Sequence, residues 1–138
     1  MNPTRVLLDA NILFSVAYGS LGLQRLWSLA RSKRCELLAS EYVIEGAKRN
    51  LDRQDQRDAL IGLLREVRVV PESDPSIPCP ITLPMKGRPV FMAALSCEAD
   101  YFVTGDITHF GEHFGKSIQG LIICPPRDFL GAISKPKK

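Results

Sequence analysis

The sequence predicts an α/β domain in which a single doubly wound parallel β-sheet is sandwiched by α-helices. Three observations carry that reading. Short, largely apolar runs recur at Arg5–Leu8, Cys35–Ala39, Val67–Val70, Tyr101–Thr104 and Leu121–Cys124. They lack the polar alternation of a half-exposed strand, as strands buried on both faces do. Segments of helical apolar spacing separate them, and strands alternating with helices imply βαβ crossovers. At 138 residues, 45% apolar and 24% charged, the chain has the size and texture of one globular domain.

In chain order, Arg5–Leu8 is the first strand, and a helix begins near Ile12. Leu21, Leu23, Leu26, Trp27, Leu29 and Ala30 recur at near-helical spacing and end in the basic stretch Arg31–Arg34. After the strand Cys35–Ala39, Ser40 is placed to cap a helix running from Glu41 to about Asn50. A more polar helix over 54–64 leads into the third strand. Residues 71–84 then hold five prolines, at 71, 75, 78, 80 and 84, which excludes helix and central strand. Long loops inside a small domain are often functional. Pro89 opens a helix to Cys97 from its first turn. The strands Tyr101–Thr104 and Leu121–Cys124 follow, and a last helix spans Arg127–Ile133. One domain over residues 1–138 accounts for the chain, with 134–138 a basic tail expected to fray.

The net charge of +3 permits a polyanionic partner without demanding one. Four cysteines, at 35, 79, 97 and 124, have no C-x-x-C spacing. They read as reduced thiols in a cytoplasmic protein. Asp9 and Asn11 interrupt the only early apolar stretch, so no signal peptide is expected. No stretch has the ~20 apolar residues of a membrane span.

Doubly wound sheets place their sites beyond the C-terminal ends of the strands. Asp9 directly follows the first strand and Asp106 follows the fourth after one glycine. Each has a reading as a helix cap. Together, at one sheet edge, they read as a metal-binding pair. Glu45 lies in the helix after the second strand, toward the same edge; alone it is an ordinary helix glutamate. Converging carboxylates call for a divalent cation, and Mg²⁺ or Mn²⁺ suits oxygen ligands. Asn11 and Thr104 stand close enough in sequence to support the two aspartates, or to satisfy turns. Lys86 and Arg88 read either as phosphate contacts at the pocket mouth or as solvated loop residues. His109 reads as a hydrogen-bonding residue in the turn after Asp106 rather than a general acid, and Tyr18 and Trp27 as packing residues rather than RNA-stacking ones.

The segments Leu7–Ser15, Leu38–Glu45, Ala99–Asp106 and His109–Gly111, continued by Cys124–Leu130, closely resemble the PIN-domain family. They look most like its bacterial branch of VapC-like toxin ribonucleases from VapBC-type toxin–antitoxin pairs. The resemblance covers almost the whole chain. It implies a Mg²⁺- or Mn²⁺-dependent endoribonuclease with Asp9, Glu45 and Asp106 as catalytic and metal-binding residues. It further implies an RNA substrate, a homodimer and an antitoxin partner. One departure stands out. Where related sequences resemble Lys-Asp-Arg-Pro, this chain has Lys86-Gly87-Arg88-Pro89, so Gly87 occupies the position of a family carboxylate. Three readings stay open: a non-catalytic protein that binds RNA or a protein partner, an enzyme with a shifted ligand, or a chain carrying an inactivating substitution.

Other α/β classes fit less well. A haloacid-dehalogenase-type phosphotransferase needs a second Asp where Asn11 stands. A receiver domain needs an acidic pair within the first residues, and residues 1–5 hold no acid. A dinucleotide-binding fold wants a glycine-rich turn where Asp9-Ala10-Asn11 runs.

Overall fold

The computed structural model describes residues 3–134, so Lys135, Lys137 and Lys138 of the basic tail lie outside the described residues. The chain runs β1 (Thr4–Leu8), α1 (Ala10–Tyr18), α2 (Gln24–Arg31), β2 (Cys35–Ser40), α3 (Glu41–Arg49), α4 (Gln54–Leu64) and β3 (Arg68–Val70). It continues through α5 (Arg88–Ser96), β4 (Tyr101–Val103), α6 (Ile107–Phe110), a 3₁₀ turn (Gly111–His113), β5 (Ser117–Ile118), β6 (Leu121–Cys124) and α7 (Pro126–Ser134). The strand order is β3-β2-β1-β4-β6-β5. All pairings are parallel except β5 with β6. The sheet is therefore the doubly wound α/β sheet expected, with one addition. β5 is a two-residue antiparallel edge strand, too short for any apolar period to register in the sequence.

Val6, Leu7 and Leu8 are fully buried, which places helices over both faces of the central strand. Each such side chain contributes about 1.5–3 kcal/mol of transfer free energy. Leu37, Leu38, Phe102, Val103 and Ile123 extend this layer across β2, β4 and β6. Trp27 is buried as expected, and its indole N–H donates to the Leu63 carbonyl at 3.1 Å, joining α2 to the end of α4. All four cysteines are free thiols. Burial pushes the Cys35 thiol up to about 11 and that of Cys124 to about 12, so neither forms a thiolate near neutrality. Among the described residues no helix is long and apolar enough to cross a membrane.

The proline-rich loop is tied down at several points, and this decides where Lys86 and Gly87 sit. Leu83 is buried in the core. The Thr82 carbonyl meets His113 Nε2 at 3.3 Å, and Arg88 Nε donates to the Leu83 carbonyl at 3.1 Å. From α3, the Tyr42 hydroxyl donates to the Lys86 carbonyl at 3.3 Å, while Tyr42 N–H donates to Glu72 at 3.1 Å. The loop thus reaches α5 along a defined path despite having no repeating hydrogen bonds.

Leu38 is fully buried in β2, between β1 and β3. We expect Leu38→Ala to lower stability by roughly 2–5 kcal/mol in denaturant unfolding. A loss below about 1 kcal/mol would mean the sheet is not the continuous core described.

Candidate active site

The site forms where the strand order reverses direction. β1 and β4 are neighbours, in register Val6↔Tyr101, Leu7↔Phe102 and Leu8↔Val103, so Asp9 and Thr104 leave the sheet side by side. The Asp9 N–H still donates to the Val103 carbonyl at 3.0 Å, and Thr104 N–H to that of Cys124 at 3.1 Å. Both residues are therefore positioned by the ladder itself. Asp9 is only 8% exposed and Thr104 is fully buried.

A compact hydrogen-bond network follows. Asp9 Oδ1 accepts from Ala10 N–H at 2.8 Å, which caps α1. Asp9 Oδ2 accepts from the Thr104 hydroxyl at 2.7 Å and from Asn11 Nδ2 at 3.2 Å. Thr104 Oγ1 accepts in turn from Asn11 Nδ2 at 3.3 Å and Asp106 N–H at 3.0 Å. Asn11 Oδ1 accepts from Gly105 N–H at 2.8 Å. Asp106 caps α6: its Oδ1 accepts from His109 N–H at 3.0 Å and its Oδ2 from His109 Nδ1. Capping and site formation are thus one arrangement at both aspartates. Thr104 supports the carboxylate of Asp9, whereas for Asp106 it fixes only the backbone.

The two carboxyls are displaced in opposite directions. Burial raises that of Asp9, and the neighbouring Asp106 charge adds to this; Thr104, Ala10 and Asn11 offset only part. Burial also acts to raise that of Asp106, but the His109 ring and the N–H groups of His109 and Thr108 outweigh it and hold it below the ordinary range. A charged Asp9 is therefore held against a desolvation cost, next to a second anion.

Asp9 and Asp106 open into a pocket of about 550 Å³, also lined by Asn11, Phe14, Asn50, Lys86, Gly87 and His109. Lys86 also lines the pocket and has no ion pair among the described residues. Arg88 is turned to the loop carbonyl of Leu83 instead. Glu45 does not line this pocket. Its carboxylate meets Lys48 at 3.7 Å and its side chain is 58% exposed. Among the described residues no three Asp, Glu, His or Cys side chains form a metal-binding group.

Gly87 lies in the pocket wall at the N-cap of α5, with no side-chain cap. Its φ of −84° does not call for glycine. Space does: a Cβ there would lie 3.1 Å from Phe110 Cζ. Phe110 is itself buried and packs edge-on against Phe102, ring centroids 4.9 Å apart. Phe14 and Asn50 are pocket residues that the reading of the sequence did not single out. Phe14 could have been found, because it stands one helical turn after Asn11 on the helix Asp9 caps. Asn50 could not, since only the packing of α3 against α1 brings it there.

No protein-family model matches the chain, and no curated protein matches it. Solved structures do. The VapBC2 structure from Rickettsia felis, bound to a DNA fragment from its promoter, matches with TM-score 0.59 and 14% identity over 87% of this chain and 97% of that one. The PIN domain endonuclease Utp24 is a looser match, TM-score 0.44 and 15% identity over 77% and 74% of the two chains, and carries no weight. The likeness to VapBC2 shows that this chain shares its α/β fold. It speaks to fold and not to activity.

The opposite shifts of the two aspartates set a pH dependence. With its carboxyl raised in the fold, Asp9 contributes most below the ordinary carboxylate range, and that contribution is lost as pH rises through the raised value. Asp106, lowered, contributes above that range and loses its contribution only in stronger acid. As pH rises above the ordinary carboxylate range, we expect Asp9→Asn to flatten the fall of melting temperature in chelator-treated protein. An identical slope in the two proteins would show that Asp9 does not titrate in that window.

Proposed function

We propose that the chain is a divalent-metal-dependent endoribonuclease of the PIN type, the toxin component of a toxin–antitoxin pair, working with a reduced carboxylate set. The observation that carries this reading is the pairing of Asp9 and Asp106 in one pocket at the β1/β4 switch point, a pocket that Lys86 also lines. The donor set suits Mg²⁺ or Mn²⁺. It is anionic and all-oxygen, and the buried Asp9 beside a second anion is relieved by a cation. Asp9 and Asp106 would hold the ion. When bound, it supplies an activated water and stabilises charge on the leaving oxygen of a phosphodiester.

The chain's own groups do the rest. Thr104 and Asn11 hold the Asp9 carboxylate in one orientation, and His109 holds that of Asp106. Lys86 meets an RNA phosphate as a mobile point charge. Glu45 joins as a third ligand once it leaves Lys48. That exposed pair is worth little, ~0–1 kcal/mol. The backbone is already near, since a Cβ on the adjacent Gly46 would lie 3.3 Å from that of Ala10. The fold of VapBC2, solved as a DNA-bound assembly, supports an antitoxin-type partner for this chain as well. A homodimer belongs to the same reading, and light scattering of the isolated chain checks it.

We expect Mn²⁺ to raise the melting temperature of the chain and to support cleavage of RNA, and Asp9→Asn or Asp106→Asn to remove both effects. Cleavage that persists in excess chelator, or in Asp9→Asn, sinks the proposal.

The packing of Phe110 on Gly87 favours a second reading, a PIN module that binds RNA or a protein without cutting, because a fourth ligand at position 87 would crowd the ring. Asp9→Asn separates the two, since an enzyme loses Mn²⁺ binding and cleavage and a pure binder loses neither, while Gly87→Asp tests the missing ligand. For an enzyme with a missing ligand, we expect Mn²⁺ affinity to rise on the order of tenfold and cleavage to increase. The crowding against Phe110 should cost roughly 1–3 kcal/mol of stability, a loss shared by Gly87→Ala, which lacks the charge. If Gly87→Asp binds Mn²⁺ no better and cuts no more RNA, the segment does not belong to the metal site.

A further inference from the structure

Tyr18 contradicts the packing role expected for it: it is 65% exposed at the last position of α1. It is not a loose surface residue either. Its ring lies against that of Phe14, centroids 5.5 Å apart and planes at 32°. Phe14 lines the acidic pocket together with Asn11. Positions 11, 14 and 18 share one face of α1. A polar-to-aromatic track therefore leaves the pocket at Asn11, crosses Phe14 and ends on Tyr18, about 6 Å beyond Phe14 along the helix axis. Gly19, at φ 126°, stops the helix directly after Tyr18.

We propose that Tyr18, braced by Phe14, is a base-stacking platform for single-stranded RNA whose backbone enters the pocket. This rests on the nuclease reading above and names the form of RNA the site takes. The division of chemistry favours a nucleotide chain. The pocket is lined by two carboxylates suited to an ion-bridged phosphate and by Lys86, which has no ion pair among the described residues. Tyr18, against the pocket residue Phe14, adds an exposed aromatic ring one helical turn beyond it. A base and its phosphate need these two kinds of surface at about that separation, and every base offers a π-face to stack. A ring already braced by a neighbour loses little freedom on binding, so most of the stacking is retained as affinity. Paired bases are stacked within their own helix, so the platform selects unpaired RNA.

The test uses the full chain with its own aspartates and Ca²⁺ in place of Mg²⁺ or Mn²⁺, so that an oxygen-seeking ion occupies the pocket without efficient cleavage. The probes are short single-stranded RNAs carrying one 2-aminopurine, read by fluorescence quenching and anisotropy. We expect Tyr18→Ala to weaken binding about tenfold and abolish the quench, with Tyr18→Phe matching the parent. Replacing the stacked nucleotide by an abasic one should remove the difference in affinity between the parent and Tyr18→Ala. Leu21→Ala, which trims an aliphatic residue 79% exposed nearby, should leave binding unchanged. RNA binding that is equal in Tyr18→Ala and parent overturns the platform and leaves the nuclease reading standing. Absence of RNA binding in every variant overturns both. A change of mass in light scattering for Tyr18→Ala and Leu21→Ala, with RNA affinity unmoved, makes the patch a protein interface and also overturns the platform.

Discussion

The arrangement of this molecule turns on one buried carboxylate at the seam between β1 and β4. Asp9 lies past the last ladder position of β1, where burial penalises its charge, and it stays there because four neighbouring groups hold it. The ladder bond to Val103 fixes its backbone, Ala10 N–H takes one oxygen, and Thr104 and Asn11 share the other. Thr104 is the hinge of the network, since it also receives the N–H of Asp106. The parallel register of the two strands therefore sets the separation of the two aspartates, and strand pairing is part of the site.

Gly87 and Phe110 show a second constraint, packing density. Interiors fill the space available. A chain that lacks a side chain at position 87 presents a flat patch of backbone, and the ring of Phe110 lies on it while meeting Phe102 on its other side. A side chain at position 87 would therefore need the Phe110 ring to give by a few tenths of an ångström.

Much of this was legible from residues in order. The apolar runs marked five of the six strands, Ser40 caps α3 as its position suggests, and Asp9 and Asp106 were placed at one sheet edge by following their strands. Trp27 packs inward as expected. The misses have physical causes. Two-residue β5 carries no period, and Tyr18 shares its apolar character with core residues although α1 turns it outward. Thr104 stands beside Asp106 in sequence, yet its hydroxyl serves Asp9, because the register and not the chain order decides which oxygen it reaches.

The order of strands and helices, and the two aspartates at strand ends, follow from local apolar patterning, which one chain read alone displays. The company those aspartates keep does not. That Glu45 turns to Lys48, that Asn50 and Phe14 enter the pocket wall, and that Phe110 closes over Gly87 are outcomes of how α1, α3, α5 and α6 pack on the sheet. Contacts between residues far apart in sequence depend on interaxial placement and side-chain volume. Neither has a signature in the spacing of residues along the chain, so the doubly wound sheet was written in the sequence, and the make-up of its acidic pocket was decided in three dimensions.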